Sequence, residues 1–486
     1  MAGAAPPLEL HHSGALGAEM GHMNKHLLAI SWAMPPILSP RSIQVARLVA
    51  SLQKYDWDTS FVCADPPESD TLFYKMDESF AARYAKHYAL QKVSYSSTST
   101  CLEDRWVQRA TNAAIKTMGE RTFDAFITFA QPFSDHLVGI NLKKRFPGLP
   151  WVAHFSDPWV DNPYLEPLCQ DFVAEHLTIA LADAVIFTTD RTLRLVMKKY
   201  PESWRSKCHV LPHGFEGECT PARIRPPKQD MLLVHTGNLY GRRIPFALLD
   251  ALAQLRSEGI CCRARFVGEA QKSFFQHIQD LRLENLVQCA TTVSSNQLTA
   301  YYNDADILLA CDAPASESVF LPSKLLDYMT LGLPILALTP ENGSSADFLR
   351  EVGGIIAPPD DASAIASVLR SCNEHAKTGT LHSLAPREAA ALKYSITNAA
   401  SSMNAILCNT TAQPASSLPH YCSKLHETMV TLEEELVHLR SSVASYREMV
   451  ADLPSECLAA LRENSFISRV FKKLLRIYAA YIKNES

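Results

Sequence analysis

The sequence predicts two tandem Rossmann-like, doubly wound α/β domains, followed by a C-terminal coiled coil and an amphipathic helix. Three observations predict it. Short apolar runs alternate with helical patterns, a Pro- and charge-rich stretch interrupts them in mid-chain, and the composition changes abruptly near residue 408. At 486 residues the chain is too long for a single core. With 47% hydrophobic and 20% charged residues it has the mixture of a globular protein.

The first apolar run, residues 27–33, is broken by Met34-Pro35-Pro36. A helical pattern follows at Ile43, Val45, Ala46, Leu48, Val49 and Leu52, then a strand-like run at 59–64. Strand, loop, helix, strand is the unit of a parallel sheet. The rhythm returns at 123–129, 151–155 and 184–188. Residues 216–230 read as a hinge, and the alternation restarts with a strand at 231–235, a helix at 246–257 and a strand at 262–267. Further strands fit 287–290, 307–310, 335–338 and 354–357. The expected organisation is a disordered extension (1–24), a first domain (25–215), the hinge, a second domain (231–408), a linker (409–419), a coiled coil (420–453) and a basic amphipathic helix (464–483). Ligands of such sheets bind beyond the carboxyl ends of the strands, here in the cleft between the domains. Asp183 and Asp306 each precede a buried strand in similar surroundings, an echo between the two halves.

Several function classes are disfavoured. A formal net charge of -5 does not suit a nucleic-acid binder. The thirteen cysteines form no C-x-x-C pair, which gives no zinc or dithiol motif and fits a reducing compartment. Residues 1–23 lack a signal peptide's basic start and apolar stretch, and no apolar run reaches membrane-spanning length. The expected location is cytoplasmic, with the tail peripheral on the inner face of a membrane. Leu425, Met429, Leu432, Leu436, Leu439, Val443, Tyr446, Val450 and Leu453 keep a heptad seam that predicts a homodimer. Phe466, Val470, Phe471, Leu474 and Ile477 oppose Arg469, Lys472, Lys473 and Arg476, a pattern suited to an anionic membrane surface.

The densest chemical signal runs from Phe320 to Leu336. It reads as a helix beginning at Ser323 and Lys324, followed by a Gly332-Leu333-Pro334 turn into a buried strand. Free amides and a positive dipole at a helix start suit a diphosphate, and Asp327, one turn in, suits ribose hydroxyls. These residues resemble the donor-side helix of GT-B glycosyltransferases, in particular glycosyltransferase family 4. That family usually has a Glu, seven residues, then a Glu followed by Ala-Met-Ala-x-Gly-x-Pro. Asp327 to Pro334 matches the second half; the first Glu falls on Val319, with Glu317 nearby. Pro322-Ser323-Lys324 is similar to a branch that makes bacterial surface polysaccharides.

The resemblance extends over residues 25–408 and implies a nucleotide-sugar donor, transfer with retention, and no bound metal or cofactor. It places Gly237 and Arg243, with Arg242 as fallback, in the loop after the second domain's first strand. Gly268 and Val293 fall where the family encloses the base, and Ser323, Lys324 and Asp327 complete the donor site. Val210 to Phe215 resembles the turn into the hinge. In the first domain Arg41 follows the Pro35-Pro36 loop, without the glycine pair of many relatives. His154 and Asp157, in a segment similar to an Asp-Pro-Trp motif of related transferases, are candidates to orient the acceptor hydroxyl or take its proton. Asp304-Ala305-Asp306 matches a metal-binding Asp-x-Asp, but its place before a strand reads as structural. The alternatives are a degenerate transferase acting as a scaffold and a sugar-nucleotide epimerase.

Overall fold

The computed structural model describes residues 24–67, 75–98, 101, 105–165, 167–293 and 295–412. The expected coiled coil and amphipathic helix lie outside them, as does nearly all of the N-terminal extension. The sheets described here belong to one compact unit, residues up to 167 together with those from 174.

The first sheet has seven parallel strands in the order β5-β3-β1-β6-β7-β8-β9. They are β1 (Lys25–Ile30), β3 (Trp57–Asp65), β5 (Ala89–Ser94), β6 (Ala125–Ala130), β7 (Trp151–Phe155), β8 (Ala184–Phe187) and β9 (Cys208–Val210). Two short strands, β2 (Ile37–Leu38) and β4 (Lys75–Met76), pair beside it. The second sheet has six parallel strands in the order β12-β11-β10-β13-β14-β15. They are β10 (Asp230–Thr236), β11 (Cys261–Val267), β12 (Val287–Ala290), β13 (Ile307–Cys311), β14 (Ile335–Leu338) and β15 (Ile355–Ala357). Chain direction across each sheet reverses between β1 and β6 and between β10 and β13. The crevices beyond those strand pairs are where such sheets take ligands.

Helices cover both faces, so the central strands are mostly apolar; β6 and β7 are buried at every position, Thr128 and His154 included. The helix Pro40–Leu52 shows how one cover forms. Ser39 caps it by accepting from the Ser42 N–H, and Pro40 occupies its first turn, where no N–H is needed. Val45, Ala46, Val49 and Leu52 then recur at helical spacing and pack on Leu27, Ala29 and Ile127.

The last helix among the described residues is Ile396–Asn409. Its Ala399, Ala400, Met403, Ile406 and Leu407 join the core of the first sheet, not the second. Trp57 Nε1 donates to Asn404 Oδ1 at 2.9 Å, and a Cβ on Gly214 would sit 2.6 Å from the Ile396 Cα. Gly214 therefore permits the close crossing of this returning helix.

The aspartate echo has one structural cause. Asp183 accepts from the Trp151 N–H (2.7 Å) and Asp306 from the Leu232 N–H (2.8 Å), each pinning the start of a neighbouring strand. Lys143 and Lys228 neutralise them. Asp304 pairs with Arg265 at 3.0 Å. Asp306 thus serves the fold, while Asp304 stands in an exposed ion pair.

Candidate functional site

At the carboxyl end of the second sheet the backbone is bare. Gly237 (φ +118°) and Gly268 (φ +143°) end β10 and β11 in conformations that favour glycine. A Cβ on Gly268 would lie 2.5 Å from the Gly237 carbonyl oxygen, and one on Gly237 would lie 2.8 Å from Lys324 Nζ. Two glycines therefore clear the space into which Lys324 projects.

Lys324 Nζ donates to the Thr236 carbonyl at 2.7 Å and lies 3.3 Å from His235 Nε2. His235 is fully enclosed, with Nδ1 3.0 Å from the Leu309 carbonyl. Burial and the adjacent Lys324 hold its pKa well below the usual value, so the ring is neutral. That assigns the proton to Nδ1 and leaves Nε2 to accept from the ammonium. Burial also pulls the Lys324 pKa down to about 8. A desolvated ammonium with few protein acceptors favours an incoming anion.

Arg243 is half-buried, whereas Arg242 is exposed. Its Nη1 donates to the Tyr240 hydroxyl at 2.9 Å, and its guanidinium lies over the rings of Tyr240 (5.4 Å) and Tyr164 (5.6 Å). Ser323 begins the helix Ser323–Met329, which is only seven residues long. Charge at this end is therefore carried mainly by the two cationic side chains. Val293 lies half-buried three residues beyond β12. Asp327 Oδ1 accepts from Arg47 Nη1 at 2.7 Å, an ion pair between the two halves that no motif announces. The family's first Glu position is filled by buried Val319, and Glu317 is paired with Arg191 of the first half at 2.8 Å.

The facing end of the first sheet is crowded with polar groups. Arg41 lies at the start of the helix Pro40–Leu52, near Asp135 and Asp157; burial lowers its pKa to about 10 while the two carboxylates oppose that shift. Asp135 accepts from the Trp32 N–H (2.7 Å) and from Trp106 Nε1 (2.9 Å), and burial pushes its pKa up to about 7. His136 and His213 are each driven down to about 3, mainly by burial. His154 is 2% exposed, stands 6.2 Å from the His213 ring, and has an Nδ1 with no hydrogen-bond partner. Burial, then Arg41 and His213, holds its pKa well below normal.

A ring so weakly basic is a poor proton acceptor but still accepts a hydrogen bond. Of the two acceptor candidates, His154 is therefore suited to orientation and Asp157 to accepting the stronger hydrogen bond. Asp157 Oδ2 takes the side-chain amide of Gln131 at 3.1 Å, and burial raises its pKa against the pull of Arg41 and Arg243. Arg243 and Asp157 thus lie within electrostatic reach of each other.

The structure brings Gly237, Arg243, Gly268 and Lys324 together at one sheet end and Arg41, His154 and Asp157 at the other. Sequence reasoning missed His235, Asp135, His136, His213, Arg47 and Tyr164. His213 stands in the Pro212-His213-Gly214 turn and His235 opens the loop to Arg243, so both lie in segments the sequence singles out. Asp135 and His136 are adjacent, but they reach Arg41, His154 and His213 only in the fold, as Arg47 reaches Asp327 and Tyr164 reaches Arg243.

Residues 231–374 match the family model described as glycosyl transferases group 1. Three solved structures are similar over most of the chain. HepE of Anabaena, in complex with UDP and glucose, is 17% identical with a TM-score of 0.59, covering 80% of this chain and 100% of its own. Sucrose-phosphate synthase of Thermosynechococcus elongatus is 15% identical with a TM-score of 0.58 and coverage of 79% and 98%. The lipopolysaccharide outer core galactosyltransferase WaaB, apo form, is 14% identical with a TM-score of 0.56 and coverage of 79% and 99%. No curated protein matches the sequence. The fold is GT-B, and the similarity to the group 1 glycosyltransferase model lies within its second half.

Proposed function

We propose that this protein transfers a sugar from a nucleotide-sugar donor, held at the second sheet, to a glycan or lipid-linked acceptor held at the first. The observation that carries this reading is the pair of cations, Lys324 and Arg243, at a glycine-cleared strand end. The donor's bond between anomeric carbon and diphosphate oxygen breaks as negative charge gathers on the diphosphate. Lys324 and Arg243 stabilise that charge, the guanidinium by its two-pronged geometry. The acceptor hydroxyl, oriented by Asp157 and His154, attacks the anomeric carbon from the face the diphosphate leaves. Its proton passes to the departing diphosphate oxygen, and configuration is retained. Asp327 holds the ribose through the oxygen that Arg47 leaves free, while Gly268 and Val293 border the base.

No metal is required in this scheme, because the two cations supply the charge and Asp304 and Asp306 are engaged in ion pairs. The Pro322-Ser323-Lys324 variant favours a role in cell-surface polysaccharide synthesis. Complexes of similar structures with UDP, and with UDP and glucose, support a nucleotide-sugar donor. A thermal-shift panel of nucleotide sugars, followed by transfer or slow donor hydrolysis in EDTA, tests the reading. Stabilisation by one donor class with activity retained in EDTA is expected. Activity lost to EDTA and restored by manganese contradicts the metal-free scheme, and no binding favours a scaffold.

Two further parts of the proposal concern residues 420–483. Dimerisation through 425–453 predicts monomers for Leu436→Asp by light scattering, with a monomeric parent as the contrary result. Binding of an anionic membrane by 464–483 predicts salt-sensitive liposome co-sedimentation, lost when Lys472, Lys473 and Arg476 become Glu.

A further inference from the structure

Tyr164 belongs to the acceptor half, yet its ring packs on the donor half. It stacks on Phe320 at 5.2 Å with 30° between the planes, and the Arg243 guanidinium lies 5.6 Å from its centroid. Phe320 leads directly into Pro322-Ser323-Lys324. One aromatic ring therefore touches both segments that deliver cations to the proposed diphosphate site.

The loop that presents this ring is fixed along its length. The Ser156 hydroxyl donates to the Ala130 carbonyl, and the Ser156 carbonyl accepts from Thr188. Trp159 stacks face to face on Phe133 at 4.7 Å. The Val160 N–H donates to the wholly buried Glu175, and Lys199 binds both Glu175 and Asp161. Asn162 then turns the chain by accepting from the Tyr164 N–H at 3.0 Å. Even with Phe320 and Arg243 against it, Tyr164 remains 45% exposed, so its ring is not a core residue of its own domain. A rigid loop ending in an exposed aromatic is built to meet something across the cleft.

We propose that Tyr164 is a positioning residue for sugar transfer, setting the Arg243 guanidinium against the donor diphosphate when the two sheet ends meet. This rests on the glycosyltransferase reading. Tyr240 holds Arg243 from within the donor half, whether or not the cleft is closed. Tyr164 adds its cation–π face only in the closed arrangement, so its contribution falls on the reacting complex more than on nucleotide binding. Asp157 begins the same loop, which links acceptor orientation to Arg243 placement.

The test compares the full chain with Tyr164→Ala, Tyr164→Phe, Arg243→Ala and the Tyr164→Ala/Arg243→Ala pair. The UDP-, GDP- or ADP-sugar giving the largest thermal shift serves as donor, and the matching nucleoside diphosphate is titrated calorimetrically. Tyr164→Ala should lower kcat roughly tenfold, while Tyr164→Phe, which keeps the ring but loses the hydroxyl's interaction with Arg243, should fall between Tyr164→Ala and the parent. The nucleotide Kd should change by less than about twofold, and the double variant should be no slower than Arg243→Ala alone. A parent-like kcat for Tyr164→Ala, or losses that simply multiply in the double variant, would overturn the assignment. In either case an active parent impaired by Arg243→Ala leaves the transferase reading standing. A parent that binds no nucleotide and transfers no sugar defeats both.

Discussion

The two strand ends that face each other across the cleft are built by opposite means. The second sheet's end is made by absence. Gly237 and Gly268 remove side chains, and two cations occupy what is left. The first sheet's end is made by crowding. Arg41, Asp135, His136, His154, Asp157 and His213 are pressed together, and burial shifts all six pKa values toward the neutral form. The difference suits the two proposed tasks. A diphosphate needs backbone access and positive charge, whereas a neutral hydroxyl needs acceptors held still in a dry surrounding.

If this contrast is right, the largest losses come from the cations. Lys324→Ala and Arg243→Ala should each raise the barrier by about 2–4 kcal/mol, roughly a hundredfold or more in kcat/KM for the donor. Steady-state transfer assays check this, and a parent-like rate for both would break the contrast.

Gly268→Ala comes next, because its Cβ would meet the Gly237 carbonyl and its φ is +143°. It should destabilise the fold by about 1–3 kcal/mol and weaken nucleotide binding as β10 and β11 move apart. Denaturant unfolding gives the first quantity and titration calorimetry the second.

Asp157→Asn sharpens the comparison from the other side. It should slow transfer by roughly ten- to a hundredfold yet leave acceptor-free donor hydrolysis near the parent rate. Equal losses in both reactions would mean that the first sheet's end also shapes the donor site.

The smallest effect is one of pH. A Lys324 pKa of about 8 means that the binding-competent ammonium is fully populated near pH 6 to 7 and is lost as pH rises. Donor kcat/KM should be flat below that point and fall by about tenfold per unit well above it. Lys324→Arg should keep whatever activity it has to higher pH, since arginine stays protonated.

The same contrast explains how much was legible in the sequence. Buried strands such as Trp151–Phe155 and Ile335–Leu338 stand out as apolar runs between turns. The edge strands do not. Ala89–Ser94 is largely exposed and reads Ala-Leu-Gln-Lys-Val-Ser, and Cys208–Val210 has three residues. Neither carries a clear periodic signal. The helix Ile396–Asn409 is plainly helical in sequence, but nothing local tells which sheet it will cover.

In the cleft, the donor side was readable because its loop and its Pro-Ser-Lys helix start are contiguous stretches that resemble those of known transferases. The acceptor side was readable only at Arg41, His154 and Asp157. Its other members sit at 135, 136 and 213, and their character comes from burial that no spacing encodes. Arg47 and Tyr164 are likewise ordinary in sequence and acquire meaning only by reaching Asp327 and Arg243.

The most direct test is calorimetric titration of UDP, GDP and ADP in EDTA into the parent, Lys324→Ala and Asp157→Asn. The account predicts that one nucleotide binds the parent, binds Lys324→Ala at least about tenfold more weakly, and binds Asp157→Asn as it binds the parent. Equal weakening in both variants, or no binding to the parent, would contradict a donor seated on the second sheet alone.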